Sequence, residues 1–215
     1  MKGIFQTSMK FTQQLELLKE QYKNNLIIRK NGTLNLGPGI GPGLELHCDH
    51  QLFKPLTEAL IDKFLRADYK WPFPKEYAEF LKYSNGASLC RVRLKGKATF
   101  TSTLFHIYGL PRTQPFGRPF DEEEPGDVRI ESLSYHKDLP DYWLKCARYT
   151  KNYDFYVPYE VFIDTKTNQV HEVAKDSAIV TNTWDALDEC FCYIWDSLKD
   201  RKSEYDFGPK GQTTY

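Results

Sequence analysis

The order of periodic patterns along the chain restricts the possible folds more than any other feature. Residues 9–23 and two short segments that begin at Pro55 and Pro74 carry apolar residues at helical spacing. Residues 91–174 instead show short runs with the period of two that strands have. A helical pattern returns at 184–198. Helices, then a run of strands, then a closing helix predict an α+β fold with a mostly antiparallel sheet flanked by helices.

The first 50 residues are predicted to be an N-terminal helical and loop extension that packs on a later core. Phe11, Leu15 and Leu18 line one side of a helix. A hairpin is predicted to turn at Asn31-Gly32, and GPGIGPG at 37–43 interrupts regular structure. The predicted organisation is the extension (1–50), a main domain (51–199) and a polar C-terminal tail (200–215).

Two later helices have recognisable ends in the sequence. Pro74 suits the first position of a helix, and Asn85-Gly86 tolerate the left-handed backbone that a helix end needs. The last helix is predicted to begin at Trp184, with Asn182 or Thr183 as its cap.

A basic strand face and a long acidic loop are the charged features of the middle region. Arg91, Arg93, Lys95 and Lys97 alternate with apolar residues and glycine. They could contact phosphate, but the solvated side of an edge strand is the favoured interpretation. A long loop runs from Leu110 to about Asp127 and contains DEEEPGD at 121–127. Long loops in compact domains are often functional.

The overall charge balance is zero and hides a strong asymmetry. Lys and Arg together number 29, as do Asp and Glu. Residues 1–118 hold 18 basic and 9 acidic side chains, a net charge of +9. Residues 119–215 therefore carry a net charge of −9. A neutral total argues against a protein whose whole surface binds nucleic acid, so no direct nucleic-acid partner is expected. The acidic part suits a basic protein partner.

The residues that could carry chemistry do not form a recognisable catalytic or metal motif. His47, Cys48, Asp49 and His50 are adjacent, so they cannot all turn toward one ion, and an ordinary loop is favoured. Cys90 and His106 could meet across neighbouring strands, but any sheet offers such pairs. We therefore expect no metal, no cofactor and no catalytic residue. A hydrolase or metal enzyme built on these residues stays the least favoured alternative.

The targeting and redox signals indicate a cytoplasmic protein. No apolar run reaches the ~18–20 residues that span a bilayer, and the N-terminus lacks the apolar core of a signal peptide. The five cysteines are scattered, which is typical of reduced thiols. No membrane association is expected.

The segment FPKEYAEFL at 73–81, followed by YSNG at 83–86, resembles the SUKH superfamily, which contains bacterial toxin-immunity proteins and a fungal cell-wall regulator linked to killer-toxin resistance. The resemblance covers about residues 50–199. Three later segments in the same order are similar to further family motifs: Ile107-Tyr108-Gly109, Val161-Phe162-Ile163-Asp164 before Val170, and Asn182-Thr183-Trp184-Asp185-Ala186-Leu187.

The resemblance implies a SUKH-like fold and a non-enzymatic protein-binding module. It implies an immunity protein that binds and neutralises a cognate polymorphic bacterial toxin, such as a nuclease or a deaminase. A scaffold or regulatory protein of the same fold with no toxin partner is the alternative. No site residue follows from the family; the charge pattern instead predicts that the partner, a basic toxin, binds at Asp121, Glu122, Glu123, Glu124, Asp127, Asp138 and Asp141.

Overall fold

A computed structural model describes residues 9–37, 46–68, 71–94, 102–110, 139–150, 158–175 and 177–199. Four helices lie in these ranges: α1 (Phe11–Gln21), α2 (Glu58–Asp68), α3 (Lys75–Tyr83) and α4 (Leu187–Lys199). The nine strands are β1 (Leu26–Ile28), β2 (Leu34–Leu36), β3 (Leu46–Leu52), β4 (Ala87–Leu94), β5 (Ser102–Ile107), β6 (Trp143–Tyr149), β7 (Tyr159–Asp164), β8 (Val170–Ala174) and β9 (Ile179–Trp184).

The strands form one sheet in which each strand pairs antiparallel with the next one along the chain. The predicted α+β class with an antiparallel sheet is therefore confirmed. The predicted hairpin at Asn31-Gly32 joins β1 to β2, where Gly32 supplies a φ of +83°. Strands β1 to β3 lie mostly within the first 50 residues, so the N-terminal segment contributes to the sheet as well as a helix.

The helices pack on one face of this sheet, and the core lies between them. Phe11 of α1 reaches Phe80 of α3, Phe105 of β5 and Phe191 of α4, with ring centroids 5.2–6.1 Å apart. Successive strand residues point to opposite faces. The helix-facing positions carry buried apolar side chains, which include Leu89, Phe105, Ile107, Ala147, Val161, Ile163 and Val170.

The turn after α3 is locked against the end of β5. The Asn85 side chain accepts a hydrogen bond from Leu110 N–H (2.7 Å) and donates one to the Leu110 carbonyl (2.8 Å). Gly86 has a φ of +88° and lies against the backbone of Ile107 and Gly109. The residues that resemble the SUKH motif therefore hold α3 to the sheet, as do the buried side chains of Tyr77, Phe80 and Leu81.

Helix α2 begins later than the proline pattern predicts. It starts at Glu58 because the Thr57 hydroxyl accepts a hydrogen bond from Leu60 N–H (3.3 Å), as an N-terminal cap does. Pro55 lies in the irregular segment before it.

The predicted start of the last helix at Trp184 is wrong. Residues 179–184 form strand β9, so Asn182 and Thr183 pair with β8 and do not cap a helix. Helix α4 begins at Leu187, whose N–H donates to Glu76 Oε2 of α3 (2.8 Å). The cap comes from a residue 111 positions away, which a local pattern cannot reveal.

Helix α1 is held at its start in the same way. Phe11 N–H donates to Asp188 Oδ1 in the first turn of α4 (3.2 Å). Carboxylates at helix N-termini also interact favourably with the helix dipole. The helices of the described part of the chain are all too short or too polar to cross a membrane.

Candidate partner-binding surface

Two aromatic rings and two opposite charges lie together at the start of β6. The Trp71 and Tyr142 rings meet edge to face, with centroids 6.0 Å apart. Lys166 Nζ lies 3.5 Å from the Tyr142 ring centroid and 5.4 Å from that of Trp71. Asp141 and Lys166 are exposed, and both rings are partly exposed. We call these four residues the aromatic patch.

The hairpin turn between β7 and β8 fixes this patch. Thr165 donates two hydrogen bonds to the Tyr142 carbonyl, from its hydroxyl (2.8 Å) and its N–H (3.4 Å). Asp164 Oδ1 accepts from Lys166 N–H (2.8 Å) and Thr167 N–H (3.1 Å), which closes the turn. Burial acts to raise the pKa of Asp164, but these backbone bonds together with further side-chain hydrogen bonds outweigh it, so the pKa is lowered. The lysine is therefore presented to the rings from a rigid turn.

The structure tests the position of one predicted acidic residue. Asp141 lies in the turn before β6 and is exposed, next to Tyr142. Asp121, Glu122, Glu123, Glu124, Asp127 and Asp138 lie outside the described residues.

A polar row crosses the sheet face that points away from the helices. Ser88, His106, Arg148 and Glu160 stand directly opposite one another on β4, β5, β6 and β7. Directly opposite residues in antiparallel strands have Cβ atoms about 5 Å apart. Ser88 Oγ and His106 Nδ1 are 2.9 Å apart. We call this face the outer face.

An ion pair is buried beside this row. Lys145 Nζ pairs with Glu160 Oε1, and their side chains are 12% and 6% exposed. A bulge between Lys145 and Ala147 places Lys145 and Arg148 on the same face. Burial lowers the pKa of Lys145, while Glu160 opposes that shift. Burial also raises the pKa of the neighbouring Tyr108 to about 12.

His106 is held in its neutral form. Burial is the main cause, and the charges of Arg148, Arg91 and Lys145 add to it, so that its pKa falls to about 3. At pH 7 the ring therefore acts as a neutral hydrogen-bonding group beside Ser88 rather than as a cation.

The outer face continues to the aromatic patch through Trp143. The Trp143 ring stacks on His171 with centroids 4.2 Å apart and planes 13° apart. Phe162 lies beside it at 6.2 Å and has no exposed surface. Trp143, His171 and Phe162 thus form a packed group on the outer face, and the partly exposed rings of the aromatic patch lie beside it.

The pairs considered for catalysis do not form as the sequence suggests. The sequence-predicted loop at 47–50 is part of strand β3. His50 is 3% exposed and stands against Trp195 and Tyr22, and its Nδ1 accepts from Cys90 N–H (3.1 Å). His106 stands directly opposite Ser88 in the regular pairing of β4 with β5, two residues before Cys90. Within the described ranges, no three His, Cys, Asp or Glu side chains converge as metal ligands would.

The predicted edge strand with a solvated basic face is also corrected. Strand β4 lies between β3 and β5, and Arg91 is only 6% exposed. The first 50 residues add strands outside β4, which is why the edge lies elsewhere. Arg93 is in β4, whereas Lys95 and Lys97 lie outside the described residues.

Sequence reasoning missed Trp71, Tyr142 and Lys166. They are far apart in the chain, and only the pairing of β6 with β7 brings residues 142 and 166 together. The signal available was composition alone, because Trp and Tyr are enriched at protein interfaces. Comparison with family models, curated proteins and solved structures finds no match for this chain.

Proposed function

We propose that the chain is a non-enzymatic protein-binding module, and that it is an immunity protein which binds and neutralises a cognate bacterial toxin in the cytoplasm. The resemblance to the SUKH superfamily is the source of the toxin assignment. The positions of the motif residues support it: Asn85-Gly86 form the turn after α3, and Tyr77 is buried in the core. Residues of this kind maintain the fold, which leaves the surface free to vary among family members.

The observation that carries the binding role is the aromatic patch. Trp and Tyr dominate the energetics of protein interfaces since they bury large rigid areas. Here Thr165 fixes the backbone of Tyr142, and Lys166 lies over its ring before any partner arrives. Preorganised side chains lose less conformational entropy on binding. The patch thus has both the composition and the rigidity of an interface centre.

The charge pattern supports a basic partner. Asp141 is the exposed acidic member of the patch, and the acidic run 121–124 belongs to the segment that precedes it in the chain. A toxin that acts on nucleic acid needs a basic surface to hold phosphates. Acidic residues around an aromatic centre would attract that surface and raise the association rate.

The low pKa of His106 supports a binding role rather than a hydrolytic one. Ser88 and His106 have the separation of a nucleophile and its base. A general base is most effective when its pKa lies near the working pH. With a pKa of about 3, His106 has little affinity for the proton that it would have to remove.

The direct test is co-expression with the C-terminal domain encoded by the neighbouring gene. We expect the wild-type chain to rescue growth and to bind the purified domain. Tyr142→Ala should weaken that binding by about tenfold or more, as loss of an interface centre does. Leu17→Ala, which removes a 60% exposed apolar side chain of α1, is the control and should bind normally.

The electrostatic part has its own test. Asp141→Lys combined with charge reversal of 121–124 should slow association and reduce its dependence on salt. Glu20→Lys on α1 changes an exposed carboxylate on the helix side and should do neither. Unchanged affinity and salt dependence in the first variant would contradict an acidic binding site. Failure of the wild-type chain to rescue any neighbouring toxin domain would favour the scaffold or regulatory alternative.

A further inference from the structure

The two edges of the sheet differ in how they are protected. Among the described residues, β1 and β9 are the outermost strands. Strand β1 has three residues, with Lys23 shortly before it and Arg29-Lys30 directly after it. Short strands and nearby charges are common devices that prevent edge-to-edge pairing.

Strand β9 is twice as long as β1 and has no charged residue or proline within it, although Lys175 precedes it and Asp185 follows it directly. Its six residues, Ile-Val-Thr-Asn-Thr-Trp, are uncharged, and all but Asn182 favour strands. Ile179 is 61% exposed and Val180 is 41% exposed. In an antiparallel ladder every second residue of an edge strand directs its N–H and C=O away from the sheet. These outward backbone groups, together with the exposed Ile179 and Val180, suit the addition of another strand at this edge.

The aromatic side chains beside β9 enlarge this apolar surface. The Trp184 ring lies 5.5 Å from that of Tyr193 on α4, and Tyr193 is 48% exposed. Isolated exposed apolar residues are ordinary, whereas a contiguous apolar group at an open strand edge indicates an interface.

A bulge in β9 makes the strand complementary to itself. Ile179 pairs with Ala174 and Trp184 pairs with Val170, and the register shifts between them. Since Ala174 and Val170 are four residues apart on β8, Ile179 and Trp184 point to the same face. Val180 pairs with Val173 and Thr183 pairs with His171, two residues apart on β8, so Val180 and Thr183 share the other face. Two antiparallel copies of β9 could therefore place Ile179 of each beside Trp184 of the other.

We propose that β9 pairs with β9 of a second copy of this chain, which makes the protein a two-fold symmetric homodimer with one continuous sheet. An isologous contact of this type uses the same patch on both subunits. The absence of charge in the strand removes like-charge repulsion between the copies. The facing pairs, β-branched against aromatic, are favourable cross-strand neighbours. This inference is independent of the toxin proposal.

Analytical ultracentrifugation of the full chain over a range of concentrations tests this proposal. We expect a reversible monomer–dimer equilibrium with a limiting mass twice that of the chain. Ile179→Lys should raise the dimer dissociation constant by about tenfold or more, because it brings a charge into an apolar strand edge. Ile27→Lys makes the same change at the opposite edge, where the isoleucine is 59% exposed. It should alter the constant by no more than about twofold.

Thermal unfolding of both variants checks that each is folded. A wild-type chain that stays monomeric at all concentrations would overturn the proposal. So would a dimer that responds equally to both substitutions, because its interface would then lie elsewhere. The assay contains no partner protein, so its result does not depend on toxin binding.

Discussion

The two faces of the sheet bury carboxylates in opposite ways. On the helix face Glu172 has no exposed surface and accepts hydrogen bonds from the Tyr149 and Thr181 hydroxyls and from the Asn182 amide (3.4 Å). On the outer face Glu160 pairs with the ammonium of Lys145, and Arg148 stands opposite it across the strands. One face thus surrounds a carboxyl group with hydroxyl and amide donors, and the other brings a carboxylate together with basic side chains.

This difference indicates that the helix face mainly determines stability, whereas the outer face also determines how the protein responds to charge. The helix face is a continuous apolar core that contains a few buried polar side chains, among them Glu172 and His50. The outer face holds titratable and charged groups whose properties depend on one another, as the low pKa of His106 indicates. Changes on the helix face should therefore alter unfolding as a whole. Changes on the outer face should alter charge-dependent behaviour as well.

The largest effect is expected where the helix layer meets the sheet. A Cβ added by Gly109→Ala would lie 2.7 Å from Asn85 Oδ1 and 2.8 Å from its backbone carbon. Neither neighbour can move, because Asn85 is bonded to Leu110. We expect a loss of more than about 3 kcal/mol in the free energy of unfolding, measured by urea denaturation.

Gly32→Ala is the control for Gly109→Ala. Its Cβ would meet the flexible side chain of Lys54, although a φ of +83° adds strain. We expect a loss of about 1 kcal/mol. Equal losses in the two variants would mean that the contact with Asn85 does not determine the stability of this junction.

The second largest effect is expected at the outer-face ion pair. Glu160→Gln leaves Lys145 buried near Arg148 and Lys175, which already act to lower its pKa. We expect a loss of about 3 kcal/mol, since a buried charge without its partner is costly. Adding Lys145→Met should restore part of it, as a double-mutant cycle would measure.

Glu172→Gln tests the contrast between the faces. Its hydroxyl and amide neighbours can reorient around a neutral side chain, so we expect a smaller loss, about 1 kcal/mol. If Glu172→Gln were as damaging as Glu160→Gln, the two faces would not differ in the way described above.

The smallest effect at neutral pH is expected for His106→Asn. The folded-state pKa of His106 is about 3, below its ordinary value of 6.5, so the unfolded chain binds the extra proton first as the pH falls. Stability should therefore decrease below about pH 6.5, by up to about 1.4 kcal/mol per pH unit. His106→Asn should remove this slope in urea titrations between about pH 4 and pH 6.5.

Arg148→Met provides the matching measurement. Removing this cation should raise the pKa of His106, which NMR titration of its ring would detect. If the decrease in stability below pH 6.5 persists in His106→Asn, a different group must take up the proton on unfolding. The pKa of His171 is also lowered, mainly by burial, so His171 is the next candidate.

Local patterns predicted the elements whose signals are local. The apolar stripe through Phe11 and Leu15 and the turn at Asn31-Gly32 each lie within a few residues, and the structure confirms them. The fold class followed because helical and strand patterns occupy separate parts of the chain.

The errors share one physical cause, which is that distant residues decided the outcome. Strand β9 ends at Trp184 because Glu76 of α3 caps the helix that follows. Arg91 is buried because β1 to β3 extend the sheet beyond β4. The aromatic patch depends on β6, β7 and Trp71 meeting in space. Of the predicted binding residues, Asp141 is the one that lies within the described part of the chain.

The carboxylate caps shared between helices also govern how the chain can fold. The N–H of Phe11 is capped by Asp188, 177 residues later in the chain, and the N–H of Leu187 is capped by Glu76, 111 residues earlier. Contacts between such distant residues slow folding because a long loop must close first. During synthesis the N-terminal helix emerges from the ribosome long before its cap exists. The native helix layer therefore forms only after α4 has been translated.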